Sequence, residues 1–157
     1  MPVGESDVDT SAAFTADELL YRRVAETELT GGEVDPSRLN SITFDKDVKG
    51  APSVLRSRFA VPEDVLHSDC ARGKDVSFYL VYSLRVDDLP AVLMSDDGKS
   101  FSAYPLHQPE PTCGAHSVIA SCLAEDQSRA YVKLPRSARN DLRAKLAVRM
   151  KRVFFPK

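Results

Sequence analysis

Apolar and mixed positions alternate through residues 77–86. Phe78, Leu80, Tyr82, Leu84 and Val86 fall on one face, and Tyr79, Val81, Ser83 and Arg85 on the other. A period of two in aromatic and β-branched residues predicts a strand whose fully apolar face meets a core. Weaker runs of the same kind predict strands over 41–44, 53–59, 91–94, 101–104, 117–123 and 129–134. Asp97-Gly98 stands between two of these runs and predicts a hairpin turn, because both positions take positive φ at low cost.

The period changes after Pro135. Over 137–153, Leu142, Leu146, Met150 and Val153 recur at spacings of four, four and three, which is one stripe of an amphipathic helix. Near the other end, Thr15 and Glu18 form a capping-box pattern, and Ala16, Leu20 and Val24 follow at helical spacing. A short helix over 16–25 is expected there, with a strand over 19–24 as the competing reading. Pro62, Glu63 and Asp64 suit the first turn of a helix and predict a helical turn through Val65, Leu66 and His67. Residues 105–116 are too proline-rich for regular structure.

Strands followed by a helix predict an α+β fold. The expected architecture is an antiparallel meander of four to six strands, with the C-terminal helix packed on one face and short N-terminal helical segments. Residues 1–14 are acidic and aperiodic and are expected as a disordered tail, with 15–157 as a single domain. A chain of 157 residues can bury a core without metal or disulfides.

Charge changes this picture at the C-terminal end. Eight basic residues and one acid lie between residues 136 and 157, whereas the first 135 residues hold 13 basic and 22 acidic residues. Arg136, Arg139, Arg143, Lys145, Arg149 and Arg152 border the apolar stripe. Such a flank can meet an anionic partner, or it can be solvated and pair with the chain's own acids. The first functional expectation is a non-catalytic binding or interaction module. Its basic helix would contact a protein, an anionic partner or a second copy of the chain. Nucleic-acid binding through the arginines and lysines of 136–152 is an alternative, since each phosphate contact adds a salt-dependent increment.

A second alternative lies in the soft ligands. His67 and Cys70 are three apart, as are Cys113 and His116. Two such pairs supply the four ligands of a tetrahedral Cys2His2 zinc site, although this order of residues is not a common finger spacing. The same loop also allows a small enzyme, with Cys113 as nucleophile, His107 or His116 as base and Glu110 as the orienting carboxylate. No phosphate-binding loop, dinucleotide fingerprint or internal repeat is present. The N-terminus lacks the basic and apolar regions of a signal peptide, and no apolar run approaches the roughly 20 residues of a membrane span. No membrane partner is expected. Three cysteines, an odd and small number, predict reduced thiols and a cytoplasmic location.

Overall fold

The computed structural model describes residues 13–36, 53–67, 79–111 and 113–153. In chain order the elements are β1 (Leu19–Val24), β2 (Leu29–Thr30), β3 (Glu33–Val34), β4 (Ser53–Arg56), α1 (Asp64–His67), β5 (Leu80–Arg85), β6 (Leu93–Met94), β7 (Ser100–His107), β8 (His116–Leu123), α2 (Arg136–Ala147) and β9 (Lys151–Arg152). Seven strands form one sheet in the order β6-β7-β8-β4-β1-β5-β9, curled into a half-barrel. Every neighbouring pair in it is antiparallel. β2 and β3 form a separate hairpin.

The α+β class and the antiparallel sheet hold, and several finer expectations change. Among the described residues the sheet has seven strands rather than four to six, and of these β6, β7 and β8 follow one another as a meander. The segment expected as a helix over 16–25 is the strand β1, which lies between β4 and β5. A central strand buries both of its faces, and β1 does so: Leu20 and Val24 enter one cluster and Tyr21 another. An amphipathic helix would have exposed one side of that run. The third change is at 129–134, which joins no strand ladder. Val132 only exchanges bonds with Ser121 on β8: its amide donates to the Ser121 carbonyl at 2.9 Å, and its carbonyl accepts from the Ser121 hydroxyl at 2.6 Å. The strand expected over 41–44 lies outside the described residues.

β7 runs to His107, straight through Pro105, into a stretch expected to be irregular. β6 pairs only with Ser100 and Phe101, so Pro105 sits where β7 has a neighbour on one side only. A proline lacking its N–H is tolerated on such an edge.

Residues paired across antiparallel strands share a face. One face carries Leu20, Val24, Val54, Tyr82, Leu84, Phe101, Ala103 and Ile119, and Ala138, Leu142 and Leu146 of α2 close over it. The helix ends at Ala147, six residues before the stripe predicts. Met150 still enters that main core, but Val153 packs with the cluster on the opposite face. Between them Lys151 and Arg152 pair with Ser83 and Tyr82, covering backbone groups on the free edge of β5. The opposite face holds a second core, in which Tyr21, Leu55 and Val81 meet Val65 and Leu66 of α1 and Cys113 and Ala115 of the loop between β7 and β8.

Candidate functional site

α2 positions the basic side chains by burying its stripe: Ala138 and Leu146 are fully shielded from solvent. Pro135 stands at the N-cap without a side-chain cap, and the first turn holds no acid. Arg136 and Arg139 therefore sit near the positive end of the helix dipole, where an anion is favoured. The helix also protects the edge of the sheet. The Asp141 carboxylate accepts the Met94 amide at 3.1 Å, and the Ser137 hydroxyl accepts the Asp96 amide at 3.0 Å.

The candidate cations divide into two groups. Lys145 turns back to the body, donating to the Val92 carbonyl at 2.8 Å and to Asp141 at 2.9 Å. Arg149 donates to the Asp88 carbonyl at 3.1 Å while remaining exposed, and Arg143 donates to the Asn140 side chain at 2.8 Å. Arg139 and Arg143 are half-buried. Arg136 is exposed at the start of α2, and Lys151 and Arg152 are exposed on β9. The same stretch carries Val148, an apolar side chain 79% exposed.

Of the histidine and cysteine candidates, the structure describes the side chains of His107, Cys113 and His116. His67 ends α1, and only its backbone is described; Cys70 lies outside the described residues. Cys113 is disulfide-bonded and buried in the second core. While it is so joined, its sulfur offers neither a thiolate ligand for zinc nor a nucleophile. Among the described residues no group of three or more His, Cys, Asp or Glu side chains is placed to hold a metal ion.

His116 is buried and satisfied. Its Nδ1 donates to the Gln108 carbonyl at 2.8 Å, since a carbonyl can only accept. Its Nε2 lies 3.2 Å from the Ser53 hydroxyl and 3.4 Å from Glu110. The loop between them is tied by reciprocal backbone bonds between Glu110 and Cys113. His116 and Glu110 thus meet, as the enzyme reading requires, but their contacts stitch the 108–116 loop to β4.

His107 belongs to the other face. It pairs with Ser117 across β7 and β8, and successive strand residues point to opposite sides. Its Nδ1 is 3.3 Å from the Ser117 hydroxyl and its ring centroid 5.6 Å from that of Phe59. Burial, and then the Arg56 charge, hold the imidazole below its ordinary pKa, against a smaller opposing pull from Glu18.

The charged group beside His107 was not legible in advance. Arg56 is fully buried and forms a two-pronged bond with Glu18, while its guanidinium lies 3.7 Å from the Phe14 ring centroid and 5.1 Å from that of Phe59. It also donates to the Ala13 carbonyl at 2.9 Å. The available signal was an arginine on the apolar alternation of 53–56 and an acid just before β1, but nothing local links them. Among the described residues no helix is long and apolar enough to cross a membrane. No protein-family model, curated protein or solved structure matches the chain.

Proposed function

We propose that the chain is a non-catalytic binding module that docks an acidic protein surface on the solvent face of α2 and on β9. One observation carries the reading. Arg136, Arg149, Lys151 and Arg152 are exposed, whereas Asp141, the one acid between residues 136 and 157, is held by the Met94 amide and Lys145. The uncapped, acid-free start of α2 adds to the attraction for negative charge.

An acidic protein fits this strip better than a nucleic acid. A helix of 12 residues is about 18 Å long, and a duplex running past it would cross a body with nine more acids than bases. Val148 also offers an apolar contact, which suits the mixed core of a protein interface.

The test is fluorescence anisotropy with labelled polyglutamate as the acidic probe and a labelled DNA duplex beside it. Polyglutamate binds at low salt and weakens as salt rises, and the variant R136E/K151E/R152E binds about tenfold or more weakly. No binding of polyglutamate at low salt, or equal binding by the triple variant, overturns the proposal. Tighter binding of DNA than of polyglutamate at equal salt gives the surface to nucleic acid instead.

A further inference from the structure

We infer that Arg129 is a preorganised contact for the acidic partner, held by a left-handed backbone and the Tyr104 ring so that its guanidinium takes one carboxylate through two N–H bonds. The inference rests on the reading of the chain as a module for an acidic protein surface. It adds to that surface a residue outside both α2 and β9.

Arg129 has φ 53°, the one positive φ at a non-glycine residue among the described residues. An L side chain in that region crowds the following carbonyl, and glycine or asparagine takes it at lower cost. A turn shaped for stability alone would carry one of those. The surrounding bonds hold the conformation in place. The Arg129 amide donates to the Asp126 carbonyl at 3.1 Å, and the Ser128 and Ala130 amides donate to the Asp126 carboxylate at 2.9 and 3.2 Å. The Tyr104 hydroxyl donates to the Arg129 carbonyl at 2.7 Å, and the guanidinium lies 5.4 Å from the centroid of the same ring. Tyr104 is itself fixed, because it packs with Val118, Ala120 and Cys122. One buried residue therefore restrains both the backbone and the side chain of Arg129.

The guanidinium donors remain available. Arg129 is exposed, and among the described residues no acceptor takes a hydrogen bond from its side chain. Asp126, three positions earlier, has both carboxylate oxygens engaged by the turn. A side chain already restrained loses little rotamer freedom on binding, and the planar fork matches the two oxygens of a carboxylate. Residues 127–140 hold Arg129, Lys133, Arg136 and Arg139 and no acid. Arg129, Lys133 and Arg136 are all exposed. The chain between Arg129 and Arg136 spans at most about 25 Å, so an extended acidic segment of similar length can meet both.

Anisotropy with labelled polyglutamate, together with thermal unfolding of the full chain, tests the inference. Arg129→Gly removes the cation and relieves the backbone, whereas Arg129→Lys keeps the charge without the fork. The expected result is that Arg129→Gly binds about three- to tenfold more weakly and Arg129→Lys falls between it and the wild type. Arg129→Gly should keep Tm within about 3 °C of the wild type, since the strain it relieves offsets the ring contact it loses. A larger fall in Tm shows that the arginine serves the turn itself and overturns the inference. An affinity of Arg129→Gly within about twofold of the wild type, while R136E/K151E/R152E weakens binding, overturns this inference alone. No binding by the wild type at low salt overturns it together with the reading on which it rests.

Discussion

Arg56 grips both carboxylate oxygens of Glu18, Nε–H to one at 2.7 Å and Nη2–H to the other at 2.8 Å, with side chains 0% and 4% exposed. The two residues are 38 positions apart. Their bond ties the entry of β1 to the end of β4 at the centre of the half-barrel. Removing either partner leaves a desolvated charge, which costs about 3–5 kcal/mol, whereas two apolar residues of similar volume recover much of that loss. Glu18→Ala should therefore lower stability in urea unfolding by about 3–5 kcal/mol, and Glu18→Leu with Arg56→Leu by much less. A loss below about 1 kcal/mol for Glu18→Ala would show that the pair is not what holds this junction.

His107 sets a pH dependence. Its pKa in the folded chain lies below the ordinary 6.5, so the native state favours the neutral ring. The stability linked to it is complete above about pH 6.5 and is lost as pH falls through the lower folded value. Unfolding followed between pH 7 and pH 4 should show that decline in the wild type and a shallower one in His107→Gln. Identical slopes in the two proteins would refute the assignment.

α2 is held by its stripe and not by its flank. Leu146 is completely buried in the main core, so Leu146→Ala should cost about 2–5 kcal/mol. Val148, two residues further on at the C-cap and facing solvent, should tolerate serine within about 0.5 kcal/mol. Equal effects at the two positions in chemical denaturation would mean that the helix does not seal the sheet.

Asp141 joins the helix to the edge of the sheet. Asp141→Ala removes the acceptor of the Met94 amide, and amide hydrogen exchange at Met94 should speed up by about tenfold. The Asp96 amide, which depends on Ser137, should change little. Uniform acceleration across both would point to loosening of the whole helix instead.

What could be read beforehand was whatever is periodic and local. The alternation over 77–86 appears as a strand over Leu80–Arg85, Asp97-Gly98 lies in the β6–β7 turn, and the stripe over 137–153 is helical as far as Ala147. Errors arose where a distant contact outweighed a local pattern. Glu18 completes a capping box on paper, but its carboxylate is taken by Arg56, and the following residues extend as β1. Met150 continues the helical stripe in spacing, yet the free edge of β5 draws Lys151 and Arg152 into pairing. Strand order was out of reach because β4 enters between β8 and β1 through pairings distant in sequence. The cysteine count misled in its own way. An odd number need not mean that every thiol is reduced: among the described residues Cys122 is a buried free thiol and Cys113 is bonded. The basic residues were legible as a group, but their division into inward Lys145 and outward Arg136, Lys151 and Arg152 depended on the fold.

The binding account stands most directly on where an acidic chain touches the protein. Amide chemical shifts recorded while polyglutamate is titrated into the labelled full chain locate that contact. The expected outcome is perturbation concentrated in residues 136–153, Arg136, Val148 and Lys151 among them, fading as salt is raised. Perturbation centred on α1, the 108–116 loop or β7 would contradict it, as would a spectrum that does not change at low salt.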